Sequence, residues 1–325
     1  MADVAFRTQR QIWRYCFWVI LAVIALGIPF ADASQKRESL VLDLISPNRP
    51  MAQVSINGVE TTALLDTGAT IALIDHDLLE PVPSNPSREN QTLILGIGGQ
   101  KLYPTARLDL LSVGRRNWSG LKVAVNPTAR FPVKQSVLPI SMFEENIVDF
   151  DFINDRVRIY DGRPQRVRRG RTSSVRYTTE HRLIFIDVKV NGVRGKALID
   201  TGADVSFANP IFAQKARATM SVEDTQRMRG SDLTNQIASV YVFRKFEFGR
   251  NQVERFKFPV LNTDLFDHLG FADEPMMVIG MDLLQHMRLQ VDRDRQRLTF
   301  IVPRSSKRRE RIRTIDHSFA GIDRF

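Results

Sequence analysis

Along residues 51–75 apolar and polar positions alternate in short runs broken by turn signals. Val54-Ser55-Ile56 leads into Asn57-Gly58, and the run that follows returns through Ala63-Leu64-Leu65. Alternation with a period of two, on both sides of an Asn-Gly pair, predicts a β-hairpin. The pattern recurs at 188–209, where Val188-Lys189-Val190 meets Asn191-Gly192 and the return run ends in Ala197-Leu198-Ile199. The copies superpose without a gap: Gly58 and Gly192 are 134 positions apart, and so are Asp66 and Asp200. In each copy the return strand runs straight into Asp-Thr-Gly-Ala, and a second apolar strand follows.

The repeat continues downstream. Gly96, in Leu95-Gly96-Ile97-Gly98-Gly99-Gln100, pairs with Gly230 in Arg229-Gly230-Ser231-Asp232. Each copy closes on an apolar strand, a short helix and a hairpin: Leu138-Pro139-Ile140 then Val148-Asp149-Phe150-Asp151, and Ile279-Gly280-Met281 then Leu289-Gln290-Val291-Asp292. Asp151 and Asp292 are 141 apart, so the second copy carries about seven extra residues in its middle. Short strands between frequent turn signals predict an all-β, bilobal architecture with little helix. The lobes are expected at 36–162 and 179–303, with the Arg-rich stretch 163–178 as a linker and 304–325 as a basic tail.

Composition narrows the reading. Of 325 residues 43% are hydrophobic and 25% charged, values that exclude wholesale disorder and a multi-span membrane protein. The net charge of +10 is concentrated in runs such as Arg166 to Arg171 and Lys307 to Arg313. Neither run has a nucleic-acid motif or interleaved aromatics, so solvated segments are expected and no nucleic-acid partner. Loose contact with anionic lipid is the alternative for them. At the N-terminus Arg7, Arg10 and Arg14 precede the apolar run Cys16–Phe30, and Ala31-Asp32-Ala33 follows. That order predicts a secretory signal peptide over 1–33. Ile12 and Trp13 extend the run enough to leave an uncleaved membrane anchor as the alternative. Cys16 is the only cysteine, so a cleaved chain has none, which suits an exported, bacterial periplasmic protein. The five histidines show no metal-ligand spacing, no serine sits in a nucleophile-elbow context, and no metal or cofactor is expected.

The motifs resemble those of a known family. Two hydrophobic residues before Asp-Thr-Gly-Ala, a glycine-rich segment midway, and a late hydrophobic-hydrophobic-Gly before a short helix resemble the retropepsin-like, or retroviral-type, aspartic proteases. The tandem arrangement resembles the pepsins, which carry two such lobes in one chain. A lone Asp-Thr-Gly is weak and can be a plain turn; two copies in a gapless repeat are specific.

The resemblance implies an aspartic endopeptidase acting on peptide or protein substrates. Asp66 and Asp200 would be the catalytic pair, one from each lobe, meeting within a single chain in a monomer. Two carboxyls this close share one proton: the ionised one takes a proton from a water and the protonated one donates to the scissile carbonyl. By resemblance the Thr67 and Thr201 hydroxyls lock the two loops together. Gly68 and Gly202 allow close backbone approach, and Ala69 and Ala203 stand where pepsins carry Ser or Thr. Gly96, Ile97, Gly98 and Gly99 would form a flap over the cleft. Asp204 matches an acid that contacts substrate backbone in retroviral enzymes, whereas the first lobe has Thr70. Pro139 replaces the glycine expected beneath the first catalytic loop. It keeps a non-catalytic peptide-binding module on the same fold as the alternative.

Overall fold

The structure, a computed structural model, describes residues 38–46, 49–79, 90–126, 136–167, 170–230 and 235–303. The N-terminal segment expected to direct export, the basic tail, and Ser231-Asp232 of the second glycine-containing turn lie outside the described residues.

The first lobe has strands β1 (Leu40–Asp43), β2 (Met51–Ile56), β3 (Val59–Asp66), β4 (Leu73–Asp75), β5 (Gln91–Gly96), β6 (Gly99–Val113), β7 (Arg116–Asn126), β8 (Ser136–Pro139), β9 (Ile147–Asp151) and β10 (Arg156–Tyr160). The second has β11 (Arg171–Glu180), β12 (Leu183–Val190), β13 (Val193–Ile199), β14 (Phe207–Ala208), β15 (Thr219–Arg229), β16 (Asn235–Phe248), β17 (Asn251–Val260), β18 (Met276–Ile279), β19 (Arg288–Asp292) and β20 (Arg297–Val302). Helices are short: α1 (Pro210–Lys215), α2 (Asp264–His268) and α3 (Met281–Leu284). The expected β-rich, two-lobe fold is what forms.

Pairing repeats strand for strand. β2 pairs antiparallel with β3 and β6, as β12 does with β13 and β16. β3 pairs parallel with β8, and β13 with β18. β4 pairs parallel with β7, and β14 with β17. The Asn-Gly turns explain the first hairpins. Asn57 and Gly58 have φ of 50° and 82°, and Asn191 and Gly192 have 49° and 86°. These left-handed values suit the tight turn that matches strand twist.

Strand alternation separates two apolar layers. On β3, Ala63 and Leu65 enter the main core while Leu64 joins a small cluster with Leu73, Tyr103, Ala124 and Val137. On β13, Ala197 and Ile199 enter the main core, and Leu198 joins a second cluster with Phe207, Leu261 and Phe266. Leu64 and Leu198 thus share the strand faces that end in Asp66 and Asp200.

The linker is shorter than expected. Arg171–Glu180 forms β11, which pairs with β20 through residues 171–176 and with β12 through residues 177–180. Only Ser173 and Tyr177 of this strand are buried, so its sequence reads as polar coil although the backbone is fully laddered. The second lobe therefore begins near residue 171, in the position that β1 holds in the first.

The lobes join through one continuous ladder. β9 pairs antiparallel with β19, linking β1-β10-β9 to β19-β20-β11. Arg288 of β19 lies against both acids of β9: its Nε donates to Asp149 Oδ1 at 2.7 Å, and it stands 3.8 Å from Asp151. Gln290 Nε2 also donates to Asp149, at 3.1 Å. Arg293, in the β19–β20 turn, reaches back to the carbonyls of Ile140 and Glu145 in the first lobe at 2.6 and 2.9 Å.

Candidate active site

The two Asp-Thr-Gly-Ala loops meet at the lobe interface and hold each other by a reciprocal exchange. Thr67 N–H donates to Thr201 Oγ1 at 3.0 Å, and Thr201 N–H to Thr67 Oγ1 at 2.9 Å. Each hydroxyl passes its own hydrogen across the interface, Thr67 Oγ1 to Ile199 O at 2.6 Å and Thr201 Oγ1 to Leu65 O at 2.7 Å. Both threonines are buried, so the exchange is shielded from water.

The aspartates lie on either side of this lock. Gly68 N–H donates to Asp66 Oδ1 at 2.6 Å, and Gly202 N–H to Asp200 Oδ1 at 2.8 Å. Ala203 N–H adds a second bond to Asp200 Oδ1 at 3.1 Å. The glycines are required by the opposite lobe. A Cβ at Gly68 would stand 2.5 Å from Asp200 Cγ, and one at Gly202 would stand 2.6 Å from Asp66 Cγ.

Protein surrounds both carboxyls, which keep only part of their surface open, and burial is the main cause raising both above the ordinary carboxyl range. For Asp66 the charge of Asp200 comes next, and Asp66 stands well above normal; the side-chain bond between the two raises Asp66 and lowers Asp200. Backbone N–H donors oppose the shift at both. Two mutually bonded acids that resist a second ionisation hold one proton between them, and their titration belongs to the pair.

The loops are buttressed differently. In the second lobe α3 supplies Met281 N–H to Ala203 O at 2.8 Å and Asp282 N–H to Asp204 O at 3.0 Å. Ser206 Oγ accepts from Gly280 N–H at 2.9 Å and donates to buried Asp282 at 2.5 Å. Gly280 cannot carry a side chain, because its Cβ would lie 2.7 Å from Ala203 O. In the first lobe Pro139, with no N–H to give, stands in place of Gly280, and Ala72 stands in place of Ser206. Donor and acceptor have gone together, so Pro139 leaves no unmet bond to a serine, and a 3-10 turn (Ile140–Met142) replaces the helix.

Burial, the leading cause, pushes the Asp282 carboxyl up from 3.8 to about 6, and the Asp204 charge adds to it. Well below pH 3.8 this acid is protonated in folded and unfolded chains alike. Between 3.8 and about 6 only the unfolded chain ionises, so stability falls as pH rises, and above that range the penalty is constant. Asp282→Asn keeps the acceptor for Ser206 and removes the titration. Chemical denaturation should find this variant about 3 kcal/mol more stable than the parent at pH 7.5, with the gap vanishing as pH falls below 3.8.

Asp204 lies outside the pair. Its carboxylate receives Arg49 Nε at 2.7 Å and a second bond from the same guanidinium, an ion pair across the lobes. The substrate contact expected by resemblance must share this carboxylate with Arg49. Gly96 and Gly99 close the β5–β6 hairpin with Ile97-Gly98 at its tip. Gly98 is exposed, Ile97 is buried, and the Ile97 carbonyl is bound by second-lobe side chains.

Several of these contacts escape sequence reasoning. Arg49 and Asp204 are 155 positions apart, and nothing near either residue announces the other. The Ser206–Asp282 pair leaves a trace only as a place where the repeat fails, against Ala72 and Ser141. His76 lies between Asp75 and Asp77, 3.3 and 2.9 Å away. Asp75 also accepts from Asp77 N–H and caps the 3-10 turn His76–Leu78, so the group reads as turn chemistry.

Comparison with known proteins agrees with this geometry. A search of curated proteins found no match. The family model described as Aspartyl protease matches residues 52–176 and again 186–283, together more than half of the chain, with one match around each Asp-Thr-Gly-Ala loop. The chain therefore belongs to the aspartyl proteases, as a retropepsin-like member with two tandem lobes.

Proposed function

We propose that the protein is an aspartic endopeptidase that hydrolyses peptide bonds with a water activated between Asp66 and Asp200. The observation that carries this reading is the reciprocal Thr67–Thr201 exchange, which brings the two loops together so that Asp66 and Asp200, one from each lobe, bond side chain to side chain. One carboxylate takes a proton from the water as it attacks the scissile carbonyl, and the protonated partner donates to the carbonyl oxygen. The roles reverse as the leaving amine is protonated. Cleavage of a peptide library, blocked by a statine-type transition-state mimic, tests the proposal. Peptide binding without cleavage would instead favour a binding module.

The pH profile should be that of a raised pair. Activity needs one proton on the pair, so the rate rises as the first proton leaves and falls as the second does. Burial lifts both steps, and Ala69 and Ala203 offer no hydroxyl to stabilise the ionised form. The pH–rate profile should peak in the mildly acidic range, at about pH 5–6.5. A peak near pH 2–3 would contradict this.

A further inference from the structure

The tip of the β5–β6 hairpin crosses to the other lobe and is held there at three points. Ile97 O accepts Thr263 Oγ1 at 2.5 Å and Gln236 Nε2 at 2.9 Å. The Ile97 side chain is buried in the apolar cluster of the second lobe, with Leu198, Phe207, Leu261 and Phe266. Leu198 lies two residues before Asp200 on the strand face that this aspartate ends, so the socket is part of the cleft wall. Gln236 comes from β16 of the second lobe's own long hairpin, whose Ala238 and Met228 also belong to the cluster. Thr263 is the N-cap of α2, and its one hydroxyl accepts from Leu265 N–H at 3.1 Å while donating to Ile97.

We infer that Thr263, Gln236 and the socket for Ile97 form a latch that keeps the first-lobe flap closed in the free protein, so that substrate enters only after the latch breaks. Two donors converge on one carbonyl and the apolar side chain seats beside them, so the tip has one defined closed position. The flanking glycines make release feasible: Gly99 has φ +113°, and Gly98 leaves the outer side of the tip bare. Thr263 and Gln236 act here as gating residues. The gating role rests on the proposed peptidase reading; the closed state itself does not.

The test separates the two. Thr263→Asp keeps the cap on α2, since a carboxylate accepts from Leu265 N–H, but has no hydrogen for Ile97 O. Thr263→Ser keeps both bonds. Gln236→Glu removes the other donor by a change on a different element, and so stands if the first variant fails to fold. Spin labels at Leu102→Cys on the flap and Asp267→Cys on α2, in a Cys16→Ser background, report the separation by double electron–electron resonance at pH 7.5. Loss of one neutral hydrogen bond should raise the open fraction about two- to tenfold in Thr263→Asp and in Gln236→Glu, and leave Thr263→Ser as the parent. Unchanged distance distributions in both donor-less variants overturn the latch, and so does opening of Thr263→Ser to the same degree. If the labels move as expected but no peptide is cleaved, the latch stands and the peptidase reading falls. Cleavage without label movement does the reverse.

Discussion

Asp66→Asn and Asp200→Asn should each lower kcat/KM about a thousandfold or more, within the range that a lost general acid–base group costs. The two carboxyls form one unit in which each must act as acid and then as base, and an amide can do neither. The Thr67–Thr201 bonds link residues of one chain, and on the proposed reading one chain makes one site. A mixture of the two variants should therefore stay inactive. Kinetics on each purified variant and on the mixture provide the check. Substantial activity in either single variant would mean that each lobe pairs with its own copy in a second chain. Folding is not the reason for the expected loss. Burial disfavours both charges, so the amide variants should unfold at the same denaturant concentration as the parent or a higher one near neutral pH.

Thr201→Val should cost about 2–6 kcal/mol of stability, and Thr67→Val a similar amount, since each strands two buried groups at about 1–3 kcal/mol apiece. Valine matches the shape of threonine and lacks the hydroxyl. In Thr201→Val, Leu65 O loses its donor and Thr67 N–H its acceptor, both deep between the lobes. The double variant strands four different groups, so its loss should be close to the two single losses added. Serine at either position should restore most of the loss. Urea denaturation of the five variants measures all of this, and a loss under about 0.5 kcal/mol in both valine variants, as for an ordinary surface change, would remove the lock from the account of stability.

The fold was legible because the chain states it twice. A period-two pattern around Asn57-Gly58 is ambiguous alone, but its return at Asn191-Gly192, in register with Asp66 and Asp200, leaves little else to build. What stayed hidden was of two kinds. β11 hides because only Ser173 and Tyr177 face inward, so no apolar alternation marks it and its arginines read as linker. The contacts of Thr263, Gln236 and Arg49 hide because they depend on how loops of one lobe approach the other, and that of Asp282 with Ser206 because 76 positions separate the two. Neighbouring residues carry no record of such distances. The two aspartates could be foreseen from pseudo-symmetry. The residues that break the symmetry, Pro139 with Ala72 and Ser206 with Asp282, were visible as mismatches but not as partners.

The ladder between β9 and β19 also bears on which halves can pair. Its pseudo-two-fold axis passes through the pair Asp149 and Gln290, which occupy equivalent places in the two copies. Two first lobes joined in the same way would set Asp149 against Asp149 in a buried ladder, with no Arg288 to neutralise either. Like charges directly opposite repel, and a buried carboxylate without its cation is costlier still. Asp149 and Arg288 hold complementary places in this sequence, and a first lobe joined to its own copy by this ladder would lack the cation that Asp149 meets here. Cutting the chain between the lobes should therefore yield halves suited to each other and unsuited to their own copies.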